Sequence, residues 1–174
     1  MIYIYSIGNI QFEILDRLVK PLNQKFNQPI SIGGNILLTN NTWNPLRQQH
    51  NADLIMDKIP EPLAKDKHLA IMDLDIYAFG LNYIFGEADS RSGKALVSLK
   101  RLKPEFYGLS PDLQQFQERT LIETVHELGH TYNLRHCPNI RCVMHFSNSI
   151  ENTDIKGDSF CPACLLRLEN ELTL

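Results

Sequence analysis

His126 and His130 stand four residues apart, with Glu127 directly after the first. On an α-helix that spacing puts two imidazoles on one face, one turn apart, where both can bind one metal ion. Glu127 is not needed as a ligand. Its carboxylate is free to hold a metal-bound water as general base, the division of labour found in zinc peptidases. A catalytic zinc takes three protein ligands and keeps a fourth position open. His136 offers the third imidazole, but six residues beyond His130 it cannot share the helical face. The chain must leave the helix and turn back. Asn133 suits that exit, which needs a left-handed residue, a conformation for which Asn is second only to Gly.

Four cysteines follow, Cys137, Cys142, Cys161 and Cys164, with Met144 among them. Two disulfides, in any of three connectivities, are one reading. A Cys-x4-Cys pair followed by Cys161-Pro162-Ala163-Cys164 suits tetrahedral thiolate ligation of zinc better. A redox role for that last pair is a third reading. Its position near the C-terminus speaks against it, because thioredoxin-like motifs open a helix after an early strand. Met144 taken alone reads as an ordinary core methionine.

An extended His motif running directly into a Cys-Cys-Met-CxxC series resembles the archaemetzincin family, closely over residues 126–164 and by pattern before them. The resemblance implies a catalytic zinc on His126, His130 and His136, with Glu127 as base. It also implies a structural zinc on Cys137, Cys142, Cys161 and Cys164, hence two zinc ions per chain, with Met144 in a tight turn beneath the first. The family has Gly where this chain has Asn133. The fold implied is α/β and metzincin-like: a mixed, mostly parallel twisted sheet with helices and a small irregular C-terminal part. In metzincins an edge strand above the cleft pairs with extended substrate, and residues 82–87 are its counterpart by position. The expected function is peptide-bond hydrolysis by a zinc-bound water that Glu127 activates. The rival is a zinc-stabilised peptide-binding module with little or no hydrolysis, which would not need a base at Glu127.

The elements that must position these residues fit one domain of 174 residues, divided into 1–133, with the sheet and active-site helix, and 134–174, with the cysteines. A hydrophobic content of 43% and a charged content of 21% are those of a soluble globular protein. A net charge of −3 gives no reason to expect nucleic acid, and no Lys/Arg block points to a membrane surface. Neither a signal peptide nor a membrane span is read, so the expectation is a cytoplasmic monomer acting on peptide or protein substrates. The reducing compartment also favours metal over disulfide for the cysteines.

Residues 2–7 read as a strand and 11–26 as a helix containing Pro21. Gly33-Gly34 interrupts a second strand and is too isolated to be a phosphate loop. Asn44-Pro45 is expected to open a helix carrying Leu46, Ala52, Leu54, Ile55 and Met56, with Trp43 against its start. Leu69 to Tyr77 reads as the central strand. Asp73 and Asp75 share one of its faces, as a solvated strand end more than as an acid/base or calcium pair. Residues 81–87 and 95–99 form a hairpin. Ser110-Pro111-Asp112 opens the active-site helix with Ser110 as cap, and Leu121, Val125, Leu128 and Tyr132 trace its apolar stripe, with the histidines at its border. Nothing periodic follows Asn133 until Leu165, Leu166, Leu168 and Leu172, which suit a closing helix. His50, His68 and His145 lack ligand spacing.

Overall fold

The computed structural model describes residues 1–173. β1 (Ile2–Ile7) leads through α1 (Phe12–Phe26) to β2 (Ile30–Ile36), and β5 (Lys67–Met72) and β8 (Lys94–Ser98) extend the same sheet. With β7 (Gly86–Asp89) the order is β2-β1-β5-β8-β7, parallel throughout except for the antiparallel edge strand β7. Leu69 and Ile71 face α1 and the long helix α3 (Leu113–Thr131), while Ala70 and Met72 face α2 (Ala52–Met56). Burial on both faces explains why this strand is apolar without alternation. α1 sets Leu15, Leu18, Leu22 and Phe26 into the core and passes through Pro21 without ending. The Gly-Gly step does not break β2. The register shifts by one residue there, Ile4 pairing Ile32 and Ser6 pairing Asn35, a bulge that absorbs it.

Several expected elements are different. No helix starts at Asn44-Pro45. Asn44 Oδ1 instead accepts from the backbone N–H of Leu46 and Arg47, closing a turn between β3 (Trp43–Asn44) and β4 (Gln49–Asn51). Asn51 then caps the short α2 by accepting from Leu54 N–H. Trp43 lies against His50, ring centroids 4.9 Å apart, and not against a helix start. The central strand stops at Met72, and the chain resumes as β6 (Ile76–Tyr77) beside β4. Asp73 and Asp75 are at that break and are ion-paired, Asp73 with Lys103 and Asp75 with both ends of the Arg101 guanidinium at 2.6 and 2.8 Å. The hairpin forms, but its first strand begins at Gly86, not at residue 81. The carbonyls of Leu81 and Asn82 accept from Arg47, and Asn82 also from Gln49, so these groups bond to side chains in place of a ladder.

Asp112, and not Ser110, caps α3, its Oδ1 accepting from Gln115 N–H at 2.9 Å. The first helical residue is Leu113, two residues later than the Ser-Pro step implies, so the extended residue directly before it is Asp112. Val125 and Leu128 within α3 and Tyr132 at its C-cap are buried, and Leu121 packs partly buried against the same core. After it come a turn-rich segment, the short α4 (Ile150–Ile155), which sequence patterning did not reveal, and α5 (Pro162–Thr173). Among the described residues no helix is long and apolar enough to cross a membrane. Asp112→Ala removes the cap from the helix that carries the site and should lower unfolding free energy by about 1 kcal/mol, read from urea denaturation at constant m-value.

Candidate active site and second metal centre

The site begins with the way α3 ends. Asn133 takes the left-handed conformation, φ 61°. Leu134 N–H donates to Gly129 O at 3.2 Å and Asn133 N–H to His130 O at 2.9 Å. These paired bonds form a Schellman exit, with Asn in the position usually held by Gly. The exit turns the chain back so that His136 faces the histidines of the last helical turns. One nitrogen from each of His126, His130 and His136 lies within 4.8 Å of the others. His126 Nδ1 is 2.7 Å from Val143 O, and His130 Nδ1 is 2.7 Å from Leu134 O. A carbonyl oxygen only accepts, so both Nδ1 atoms carry the proton and both Nε2 atoms present lone pairs.

Those two Nε2 atoms face each other 3.2 Å apart. Two lone pairs that close repel unless a cation lies between them, and ligands at about 2.0–2.1 Å from a tetrahedral zinc are separated by about 3.3 Å. The pocket therefore fits a zinc ion. Burial is the first cause of lowered pKa values at all three histidines, taking His130 to about 4, which keeps the imidazoles neutral as ligation requires. Phe146 covers His136, ring centroids 4.8 Å apart.

Glu127 is buried beside this cluster. Desolvation first, and then the Glu123 carboxylate, push its pKa well above the ordinary carboxylate range, with Lys156 opposing. Two glycines give it and its neighbours room. A Cβ on Gly86, at the start of β7, would come within 2.5 Å of Glu127 Cγ and 2.7 Å of Leu96 O. A Cβ on Gly129 would overlap Met144 Sδ and lie 3.1 Å from its Cε. Met144 is thus pressed against the helix from below, in a turn closed by His145 N–H donating to Cys142 O at 2.8 Å.

The four cysteine sulfurs also lie within 4.8 Å of one another, and all four are free. Cys137 and Cys161 are 3.8 Å apart, far beyond a disulfide and equal to the edge of a tetrahedron of thiolates about 2.3 Å from zinc. Cys164 N–H lowers the Cys161 pKa to about 7, while burial raises that of Cys164. This cluster fits a metal and leaves no structural support for the disulfide reading. Cys137 N–H donates to Met144 O at 2.9 Å, and His145 Nδ1 donates to Cys137 O at 2.8 Å. His145, which has no ligand spacing, is therefore a brace between the histidine and cysteine clusters. His68 instead donates to Pro60 O, and His50 bonds Thr42, both away from the site.

Sequence reasoning missed Glu123, Thr153 and Lys156. The Lys156 ammonium is buried, 3.1 Å from Glu123 Oε1 and 3.3 Å from His145 O, and Thr153 Oγ1 donates to the same Glu123 oxygen at 2.7 Å. Glu123 could have been found, since it stands one helical turn before Glu127 and shares its face. Lys156 carried no signal, because the helix that brings it in is only six residues long.

A cleft of about 770 Å³ runs past His126, Glu127, His130 and His136 and along Gly86, Glu87 and Ala88 of β7. The free edge of β7 can pair with an extended chain laid across the three imidazoles and the buried Glu127 carboxylate. This arrangement defines a metal-dependent hydrolase of extended polypeptides. The profile of Peptidase family M54 matches residues 3–170. Relatives named archaemetzincin include those of Pyrococcus furiosus, 41% identical over 99% of this chain and 94% of that protein, and Methanocaldococcus jannaschii, 41% identical over 97% and 93%. The crystal structure of archaemetzincin from Methanopyrus kandleri superposes with a TM-score of 0.87 at 31% identity, covering 100% of this chain and 96% of that one. That from Archaeoglobus fulgidus gives 0.83 at 31%, covering 96% and 99%. The chain belongs to peptidase family M54 and is a zinc metallopeptidase, and the non-hydrolytic alternative is not favoured.

Gly86→Ala must displace Glu127, because the competing contact is backbone. Peptide turnover should fall by about 100-fold, the scale of an ångström-sized misplacement. Zinc content, read by elemental analysis, should stay at the wild-type value.

Proposed function

We propose that this peptidase is of the metzincin type, with His126, His130 and His136 holding the catalytic zinc and Glu127 acting as base. Cys137, Cys142, Cys161 and Cys164 hold a second, structural zinc, and Met144 floors the first. The observation that carries this reading is the pair of deprotonated Nε2 atoms facing each other beside a buried carboxylate. Zinc bound there supplies Lewis-acid polarisation of a carbonyl and lowers the pKa of a water to about 7. With zinc held by the three histidines, Glu127 would be the group that accepts a water proton and returns it to the leaving amine. Its raised affinity for a proton, set by burial and Glu123, suits the first transfer, and a cation at the histidines makes the second easier. The chain works as one catalytic domain, residues 1–133 carrying the sheet and α3 and residues 134–174 carrying the cysteines. The location proposed is cytoplasmic and the acting species a monomer on peptide or protein substrates, and a net charge of −3 gives no electrostatic reason to expect nucleic acid.

Glu127→Gln keeps size and polarity but cannot accept a proton. Zinc should remain bound while peptide hydrolysis falls by about 10²–10⁴-fold, and undiminished turnover would remove Glu127 from the mechanism.

The two centres share a peptide link, since His136 and Cys137 are adjacent. Elemental analysis should give two zinc ions per chain. Cys164→Ser should abolish one and weaken the other, measured by competition with a graded chelator. Unchanged affinity at the histidines would mean that the Schellman exit and the Leu134 carbonyl hold His136 without help from the cysteines.

A further inference from the structure

Beyond the last residue of β7 the cleft opens into a second recess of about 460 Å³, and Ser90 and Asn133 line both. Its walls carry Lys65, Lys67 and Arg91 against a single carboxylate, Glu171. In a chain of net charge −3 this is a local reversal of sign. Among the described residues no carboxylate is within ion-pair distance of Lys67 or Arg91. The nearby acids accept from other groups, although at Asp89 the Arg91 charge adds to the backbone hydrogen bonds in lowering its pKa. Asp89 accepts from the backbone N–H groups of Arg91 and Ser92 at 3.0 and 3.2 Å, and Asp66 pairs with the N-terminal ammonium at 3.0 Å. The Lys67 ammonium lies 5.1 Å from the centroid of the buried Tyr132 ring, and only Glu171 opposes the desolvation that lowers its pKa.

We propose that this recess is a subsite for an acidic side chain of the peptide substrate, three or four residues on the amino-terminal side of the bond that is cut. The proposal rests on the peptidase reading and names the substrate class for it. Gly86 marks the level of the catalytic carboxylate, because a Cβ there would touch Glu127. A substrate strand on the free edge of β7 is most stable when antiparallel, which sends its amino-terminal part along Glu87, Ala88 and Asp89 towards Arg91. At about 3.4 Å per residue, the third or fourth substrate residue from the cut is level with Ala88 to Ser90, at the mouth of the recess, so that its side chain can extend towards Lys67 and Arg91. A carboxylate there meets an ammonium and a guanidinium, while its methylenes lie over Tyr132, an arrangement that fits Glu. The substrates are then peptides that extend at least three residues ahead of the cleaved bond.

The test is a set of blocked decapeptides of one background sequence in which Glu, Gln or Lys is moved through the positions, with cut sites mapped by mass spectrometry. Wild-type enzyme should favour Glu over Gln by about tenfold in kcat/KM at the third or fourth upstream position, carried by KM, since the subsite binds ground and transition states alike. The preference should shrink as salt is raised. In Lys67→Met the Glu/Gln ratio should fall towards one, and in Arg91→Glu the order should invert in favour of Lys. Calorimetric binding of the same peptides to zinc-loaded Glu127→Gln supplies a readout independent of turnover. A Glu preference in binding without hydrolysis by wild type would overturn the peptidase reading and leave the subsite standing. Equal binding and equal turnover of the Glu and Gln peptides would overturn the subsite.

Discussion

The hydrogen bond from Leu134 N–H to Gly129 O is the constraint on which the site depends. It ends α3 and reverses the chain within two residues. It also sets the Leu134 carbonyl where His130 Nδ1 donates to it. One turn of backbone therefore stops the helix, fixes the tautomer of His130 and sends the third histidine back to the other two. Everything after it is placed relative to that reversal: His136, then Cys137, then the Met144 turn that Cys137 bonds to.

Packing then narrows the choices. Gly129 has two roles, as the carbonyl that ends the helix and as the bare surface on which Met144 rests. Gly86 is its counterpart across the cleft, letting the edge strand lie directly against the Glu127 side chain. The proton-bearing Nδ1 atoms are satisfied by carbonyls from residues 134 and 143, so the loop after the helix orients the two imidazoles that the helix supplies.

Those parts of the molecule with short-range causes were legible in the sequence. The His126–His130 spacing, the Asn133 exit and the CxxC pair each state their geometry within a few residues, and the fully apolar run of β5 states its burial on two faces. The failures share a different cause. Asn44 reads equally as a helix start or a turn, and distant Arg47 and Gln49 contacts to residues 81–82 decided which backbone became strand. The break after Met72 is held by Arg101 and Lys103, some thirty residues on, and no local pattern foretells it. The short α4 has too few turns for periodicity to register and exists because Thr153 and Lys156 find Glu123.

Lys156 carries a further implication. Its ammonium is closed off from water, and its side chain leads directly from the end of α4 to Glu123 in the middle of α3. Peeling α4 away would leave Glu123 buried without its partner, a penalty of about 3–5 kcal/mol for a broken internal pair. Partial opening of this part of the chain is thereby suppressed, and α4 and the helix beneath it open together or not at all. Backbone amides in Asn152 to Lys156 should then exchange with deuterium as slowly as those at the heart of α3, an unusual rigidity for so short a surface helix. For an enzyme that cuts polypeptides, the benefit is plain: its own most irregular segment rarely presents a strand that another copy could seize.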